Sequence, residues 1–204
     1  MNPVHGILNL DKPAGLSSAK AVDRVKRLLP RGTKVGHAGT LDPFATGVLL
    51  VLIGKATKSC EKLMDLPKQY ETTVKLGATT ATDDPESPEA PTPRAAEPSR
   101  QAIESALERM TGTVMQRPPA YSAMKIDGRR AYELARKGAI VEIAARPVRI
   151  DSIKILDWQW PLLRLLIDCG RGTYIRSIAR DLGEALNTGG YLTQLRRTRV
   201  GDFT

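Results

Sequence analysis

The sequence predicts an α+β fold in which helices flank a mixed, largely antiparallel sheet. Segments with strand periodicity and segments with helical periodicity follow each other without regular alternation, which favours such a sheet over a doubly wound parallel one. The 204 residues are 41% hydrophobic and 26% charged, which is typical of a chain that folds around its own core. The length suits one sizeable domain or two small ones, and no internal repeat is visible.

The first third of the chain predicts two strands and two helices. Residues 4–9 form a short apolar run, which indicates a strand. A helix is predicted at 17–29 because a serine can cap its start, its apolar residues share one face and Pro30 ends it. The continuous apolar run at 48–53 is typical of a buried strand, and 55–66 has helical character.

The middle of the chain predicts a strand, a loop and two helices. Apolar and polar residues alternate from 70 to 76, which indicates a strand. Residues 78–98 are rich in Thr, Pro, Asp and Glu and are predicted to form a solvated loop. An amphipathic helix is predicted at 99–110, and another at 129–137 that Gly138 closes.

The last quarter completes the pattern of mixed elements. Residues 148–156 and 162–169 are predicted strands, and 173–186 is a predicted helix. Residues 191–199 are predicted to form a short mixed element with a basic end.

The charge of the chain points to a polyanionic partner. A formal net charge of +9 comes from 31 Lys and Arg residues against 22 Asp and Glu residues, and nucleic acid is the commonest partner for such an excess. Only 4% of the residues are aromatic, which argues against a broad stacking platform for single strands. Recognition through backbone charge and RNA shape fits better, with an enzyme that is basic for other reasons as the alternative.

Compartment signals in the sequence are those of a cytoplasmic protein. No apolar run of about 18 residues is present, so no membrane span is predicted. The first residues lack the basic and apolar regions of a secretory signal. Cys60 and Cys169 lie far apart in sequence, which favours free thiols in a reducing compartment.

The glycine-punctuated loop at 36–47 is the first candidate for a functional site. Asp42 precedes Pro43, which disfavours helical backbone at the aspartate. An Asp–Pro turn with a local role is one interpretation, and a functional carboxylate is the other, since loops carry sites more often than cores do. A metal site is disfavoured because His37 and His5 are the only histidines and the cysteines lack ligand spacing.

Seven sequence runs favour the functional interpretation. They are residues 10–18, 36–49 (with Gly-His-Ala-Gly-Thr-Leu-Asp-Pro), 68–70, 117–128, 130–138, 172–183 and 195–201. In this order they resemble the bacterial TruB-type tRNA pseudouridine synthases, which act on uridine 55 of the T-loop. The match covers nearly the whole chain, from Leu8 to Phe203. The resemblance implies a pseudouridine-synthase sheet in one catalytic domain over 1–204, with an RNA-gripping insertion at about 117–138.

The resemblance also implies roles for particular side chains. Asp42 matches the catalytic aspartate, Tyr70 the tyrosine that stacks on the flipped uracil and moves a proton, and Arg176 the arginine paired with the aspartate. His37 matches the histidine that fills the gap left by the target nucleotide. The other matches are Tyr174 and Leu195 in the uracil pocket, Asp84 in a network with the arginine, and Lys12 and Pro13 in the floor of the site.

The implied reaction explains why these residue types are needed. It breaks the N1–C1′ glycosidic bond, turns the base and joins C5 to C1′. No electrons are gained or lost and no phosphate leaves, so neither a cofactor nor a metal is expected. An ionised carboxylate either attacks the substrate or stabilises positive charge at C1′, and we expect Arg176 to keep Asp42 ionised through a bidentate pair.

The expected partner is the T-stem-loop of tRNA, bound by a monomer without a guide RNA. The basic insertion at 117–138 favours the stand-alone enzymes over the guide-RNA-dependent relatives, which lack it. A non-catalytic RNA-binding module is the alternative from another class, and the intact set of Asp42, Tyr70 and Arg176 argues against it. Family members usually continue beyond the point matched by Thr204 with more of the catalytic domain and a C-terminal PUA domain, which we expect to be absent here.

Overall fold

The computed structural model describes residues 4–122, 124–126, 129–130 and 143–204, with the backbone alone at 125–126 and 129–130. Its strands are β1 (Gly6–Lys12), β2 (Val35–His37), β3 (Thr46–Ile53), β4 (Lys68–Leu76), β5 (Ala78–Thr80), β6 (Glu89–Pro91), β7 (Gly112–Gln116), β8 (Lys125–Ile126), β9 (Arg129–Arg130), β10 (Arg146–Gln159), β11 (Leu162–Cys169) and β12 (Gly190–Val200). Its helices are α1 (Ser18–Arg27), α2 (Cys60–Asp65), α3 (Arg100–Glu108) and α4 (Ile175–Ala185), with a 3-10 helix at Gly54–Ser59.

One mixed sheet organises this part of the chain. Its path runs β1-β3-β12-β4-β11-β10-β7, and β2 adds to β3. Neighbouring strands in it are antiparallel except β12 and β3, where Arg196 lies opposite Thr46 and Arg197 opposite Gly47. The prediction of a mixed, largely antiparallel sheet flanked by helices is therefore confirmed.

The apolar run of β3 is buried on both sides of the sheet. Every residue from Gly47 to Ile53 is buried. Leu49 and Val51 belong to the main core, whereas Leu50 and Leu52 belong to a smaller core on the other face. A strand covered on both faces cannot alternate apolar and polar residues, which explains the continuous run. The start of β3 is thereby a rigid support for the loop that precedes it.

Helix α1 begins at the serine cap that its sequence predicts and ends at Arg27, two residues before the predicted end. The Ser17 hydroxyl accepts a hydrogen bond from the Lys20 amide at 3.2 Å and caps the first turn. Ala21 and Val22 are buried, so the helix packs its apolar face on the core. The predicted helix at 55–66 is also present, divided into the 3-10 helix and α2.

The prediction of a solvated loop at 78–98 is wrong in part. Residues 78–80 and 89–91 pair as the hairpin β5–β6, and Asp84 between them is only 2% exposed. The charge of this aspartate is balanced by Arg176 from α4, a distant partner that local composition does not reveal.

The prediction of a short mixed element at 191–199 is wrong. The segment belongs to β12, an eleven-residue strand that lies between β3 and β4. Register shifts fall between Leu192 and Gln194 and between Arg197 and Arg199. These irregularities break the alternation of buried and exposed side chains, which removes the strand signal from the sequence.

Two further differences concern the edge of the sheet and the insertion. The edge strand β7 was not predicted, and its exposed Met115 explains why no apolar pattern marks it. Of the helix predicted at 129–137, residues 129–130 form β9 instead, paired with β8. The remainder of that helix, with its cap at Gly138, lies outside the described residues. Among those described, no helix is long and apolar enough to cross a membrane.

Candidate active site

The loop between β2 and β3 holds Asp42 at a tight turn. The backbone carbonyl of Asp42 accepts from the Ala45 amide at 3.1 Å, so the Asp–Pro turn is real. The preceding residue is fixed by α1, because the Ser18 hydroxyl accepts from the Leu41 amide at 2.8 Å and donates to the Leu41 carbonyl at 3.0 Å. The following residue, Pro43, has a carbonyl that accepts from the Gly15 amide at 2.8 Å. The backbone on both sides of the Asp42 carboxylate is therefore held by hydrogen bonds to other segments.

The Asp42 carboxylate pairs with Arg176 in the first turn of α4. Arg176 Nε lies 3.0 Å from Asp42 Oδ2, and Arg176 Nη2 donates to Asp42 Oδ1 at 3.1 Å. The ion pair is present at two short N–O distances, but only the Nη2 contact has hydrogen-bond geometry, so the expected bidentate hydrogen bonding is not complete. The arginine side chain is 5% exposed and the aspartate side chain 29%, so the carboxylate is the member of the pair that faces solvent.

Burial raises the pKa of the Asp42 carboxyl above its ordinary value, while the Arg176 guanidinium lowers it and the nearby Asp84 carboxylate raises it again. The arginine thus favours the ionised form, as the sequence predicts, but burial has the larger effect. A carboxyl group whose ionised form is opposed by burial and favoured by one guanidinium is a candidate functional group.

The guanidinium of Arg176 is itself fixed by contacts on its other side. Its Nη1 donates to the Thr82 carbonyl at 2.9 Å and to Asp84 Oδ2 at 3.1 Å. Its Nη2 also donates to the Tyr121 carbonyl at 2.9 Å. The predicted contact of Asp84 with the arginine is present, and these bonds together fix the orientation of the Arg176 guanidinium.

A pocket of about 330 Å³ opens above this pair. Five of the nine residues that the sequence singled out line it, namely Asp42, Tyr70, Tyr174, Arg176 and Leu195. Lys68, Arg146 and Arg171 add positive charge to the same lining. The volume is at the small end of ligand pockets, which span roughly 300–1,000 Å³, and the mixture of apolar walls with a carboxylate suits a flat polar ring.

Tyr70 reaches the pocket from β4, and the residue is 8% exposed. Burial raises the pKa of its phenol, whereas the charge and hydrogen bonding of Arg197 lower it. Leu195 reaches the pocket from the neighbouring strand, where it lies opposite Thr72. Two adjacent strands thus supply an aromatic wall and an aliphatic wall.

Tyr174 precedes α4 and is fixed by a side chain that the sequence did not indicate. Gln116 Oε1 accepts from the Tyr174 amide at 2.8 Å, and Gln116 Nε2 donates to the Tyr174 carbonyl at 3.1 Å. The Arg146 guanidinium lies over the Tyr174 ring, 5.5 Å from its centroid. These contacts fix the backbone of Tyr174 and place a guanidinium over its ring.

His37 and Lys12 lie outside the pocket lining. His37 ends β2 and is half-buried, and burial together with the charge of Arg197 lowers its pKa, which favours a neutral ring. Lys12 is fully buried, and its Nζ donates to the carbonyls of Leu16 at 2.6 Å, Pro13 at 3.0 Å and Pro43 at 3.2 Å. Lys12 thus connects Leu16 with Pro43 of the Asp42 loop, whereas Pro13 is exposed, and the role of both in the floor of the site stays a prediction.

The sequence interpretation missed Arg197, Lys68, Ser18 and Gln116. Arg197 is buried and bonds to carbonyls of the Asp42 loop. Burial lowers the pKa of Lys68 to about 8. The basic run at 195–201 was a visible signal for Arg197, but its partners are backbone groups that a sequence does not show. Among the described residues, no cluster of histidine, cysteine or acidic side chains could hold a metal ion.

Comparison with known proteins gives the same picture. Residues 26–175 match the model of the TruB family pseudouridylate synthase N-terminal domain, and residues 176–204 match the tRNA pseudouridylate synthase B C-terminal domain. The chain is 51% identical over 203 residues to tRNA pseudouridine synthase B of Cupriavidus metallidurans and 48% identical over 200 residues to that of Aromatoleum aromaticum. It covers 64% of each relative, and 98% of this chain is matched in both comparisons.

Solved structures share the fold at lower identity. A Cbf5–Nop10–Gar1 complex contains a chain with a TM-score of 0.74 and 29% identity, over 98% of this chain and 50% of that one. An H/ACA RNP bound to a substrate RNA with 2′-deoxyuridine gives a TM-score of 0.71 and 27% identity, over 98% of this chain and 48% of that one. The chain therefore has the pseudouridine-synthase fold. Within that class, the chain belongs to the TruB family of pseudouridylate synthases.

Proposed function

We propose that this protein is a tRNA pseudouridine synthase that converts uridine 55 of the T-loop, with Asp42 as the nucleophile. The observation that carries the proposal is the ion pair of Asp42 with Arg176 at the base of a pocket walled by Tyr70 and Leu195. The chain spans 64% of the length of the two relatives named tRNA pseudouridine synthase B. The proposed activity is therefore supported by these relatives and by the geometry of the site together.

The reaction needs a group that attacks or stabilises the sugar or the base, and Asp42 is the exposed member of the ion pair. The N1–C1′ bond breaks, C5 forms a bond to C1′, C5 loses its proton and N1 gains one, so atoms and electrons balance without a co-reactant. Tyr70 is one of two tyrosines in the pocket lining and carries a hydroxyl that can exchange the C5 proton. The target uridine must leave its stack, which costs a few kcal/mol, and stacking on Tyr70 offsets part of that cost.

The RNA partner follows from charge and from the family. The net charge is +9, and the pocket lining adds Lys68, Arg146 and Arg171 around the carboxylate. We propose that the T-stem-loop is bound without a guide RNA by a monomer in the cytoplasm. Identity of 51% to a tRNA pseudouridine synthase B, against 29% to a chain of a Cbf5–Nop10–Gar1 complex, supports the guide-independent assignment. We also propose that 1–204 is a catalytic domain with an insertion at about 117–138.

One assay separates the alternatives. The purified protein is incubated with an unmodified T-stem-loop RNA, and pseudouridine is mapped by chemical labelling and primer extension. Product at the position of uridine 55 with no other RNA present is the expected result. Product that requires an added guide RNA would move the protein to the guide-dependent class, and RNA binding without product would support a non-catalytic module. An RNA with cytidine at that position is the matched control.

A further inference from the structure

Arg197 lies at the junction of the strands that carry the site. On β12 it is opposite Tyr70 of β4 on one side and opposite Gly47 of β3 on the other. The residue is 1% exposed. A single buried side chain is therefore adjacent both to the aromatic wall of the pocket and to the end of the Asp42 loop.

The guanidinium of Arg197 bonds to the loop on both sides of Asp42. Its Nε donates to the Val48 carbonyl at 2.7 Å, which follows the loop. Its Nη2 donates to the Gly39 carbonyl at 3.1 Å, and its Nη1 donates to the Thr40 carbonyl at 3.4 Å, both before Asp42. One planar group thus fixes the separation between the two ends of the turn that presents the carboxylate.

The chemistry of these contacts favours arginine over lysine. A buried cation needs its donors satisfied, and here the acceptors are backbone carbonyls whose positions are set by the loop. A guanidinium offers donors in a rigid plane, whereas an ammonium is a point charge on a flexible stem. A lysine at 197 could retain charge but could not hold three carbonyls in one plane.

Two glycines lie next to Arg197. Gly47 has a φ of +100°, and a Cβ atom there would lie 2.2 Å from the Arg197 carbonyl oxygen, so the backbones of β3 and β12 can approach this closely only with glycine at this position. Gly39 has a φ of +97°, which is left-handed backbone that other residues rarely adopt. Gly47 therefore permits the close strand pairing that brings Arg197 beside the loop.

We propose that Arg197 is a positioning residue that sets the placement of the Asp42 carboxylate relative to the Tyr70 ring. This inference rests on the proposed function, because the placement matters for turnover only if these two groups act on one base. The charge of Arg197 also acts on Tyr70. It lowers the pKa of the phenol, whereas burial raises this pKa. The residue does not line the pocket, so it acts through its neighbours.

The first test is the single-turnover rate constant at saturating enzyme with the T-stem-loop RNA. Arg197→Lys should lower this constant about 100-fold, the order expected for a misplacement near 1 Å, with an unchanged Kd for the RNA. Loss of folded protein would reduce the concentration of active enzyme but not this constant. Arg196→Lys is the matched control, since Arg196 is adjacent, exposed and bonded to Asp11 at 3.0 and 3.1 Å.

The second test is hydrogen exchange, which needs no activity. Amides in 38–47 should exchange faster in Arg197→Lys and in Arg197→Met, while those of β4 and β11 keep their wild-type rates. Uniformly faster exchange would mean general destabilisation and would overturn the proposal, as would wild-type turnover by a folded Arg197→Lys variant. If the wild type forms no pseudouridine, the proposed function fails, and exchange in the loop still decides whether Arg197 holds it.

Discussion

Asp42 and Arg176 are 134 residues apart in the chain and form two contacts, Nε–Oδ2 at 3.0 Å and Nη2–Oδ1 at 3.1 Å. The aspartate comes from a loop before β3, and the arginine comes from the first turn of α4. Their pairing therefore connects the loop before β3 with helix α4. The behaviour of this pair can be tested separately from the rest of the site.

Asp42→Asn should abolish pseudouridine formation and leave RNA binding unchanged. The amide cannot act as a nucleophile, while the basic residues around the pocket are untouched. Product formation is measured by mapping pseudouridine, and binding by a filter or fluorescence titration. Asp23→Asn, an exposed position on α1, is the control and should turn over like the wild type. Full turnover by Asp42→Asn would contradict the assigned role.

Arg176→Lys should shift the acid limb of the pH–rate profile to higher pH. Burial already raises the pKa of Asp42, and the Arg176 guanidinium is the first of the groups that oppose this effect. A lysine loses the two-point contact, so the pKa of Asp42 rises further and the ionised fraction at a given pH falls. The loss of rate should therefore be larger at low pH than at high pH.

The control for this profile is Arg180→Lys, which lies one turn further along α4. Arg180 Nη2 contacts Asp181 at 2.7 Å and Arg180 Nη1 contacts Asp83 at 3.3 Å, so its replacement should leave the acid limb in place. An unmoved limb in Arg176→Lys would show that a different group governs the profile.

Asp83→Asn should change how stability depends on pH. Burial raises the pKa of Asp83 to about 6 from 3.8, so the folded protein holds this proton more tightly than the unfolded chain. The stabilisation is complete below pH 3.8 and is lost as the pH rises to about 6. Asparagine cannot ionise, and it suits the φ of +58° at this position.

The free energy of unfolding of Asp83→Asn relative to the wild type should therefore rise between pH 4 and about 6 and then level off, by at most about 3 kcal/mol. Chemical denaturation across this pH range measures the difference. The comparison below pH 4 is the internal control, because both side chains are then uncharged. A difference that stays constant across the range would contradict the assignment.

Ser18→Ala and Ser17→Ala form a matched pair that separates stability from placement of the loop. Ser17 caps α1, and its loss should cost about 1 kcal/mol of stability with no change in rate. Ser18 bonds to both the amide and the carbonyl of Leu41, so its loss should cost about 1–3 kcal/mol and also lower the single-turnover rate constant. Thermal melts and rate measurements on both variants check this, and equal rates would contradict the role of Ser18.

Strong periodic signals account for what the sequence predicted correctly. The alternation of apolar and polar residues predicted β4, and the continuous apolar run predicted β3. Burial of a strand on one face selects alternating apolar residues, and burial on both faces selects a continuous apolar run. The site residues Asp42, Tyr70 and Arg176 came from motif order rather than from periodicity, and the fold brings them to one pocket.

Features that depend on distant partners were missed for a physical reason. The bulges of β12 remove its alternation, and the burial of Asp84 depends on an arginine from α4. The contacts of Arg197 are to backbone carbonyls, which every residue has, so no residue type marks them. The rise in the pKa of Asp42 follows from burial, which only the tertiary structure defines.

The position of β12 has a consequence for the order of assembly during synthesis. Because β12 lies between β3 and β4, both of those earlier strands keep an open edge on the ribosome until residues 190–200 have emerged. Pairing with β12 then closes the sheet, seats Arg197 under the loop and sets Leu195 beside the pocket in a single step. Until that pairing occurs, the chain lacks Arg197 and Leu195 at the site, and the open edges of β3 and β4 are exposed to edge-to-edge aggregation.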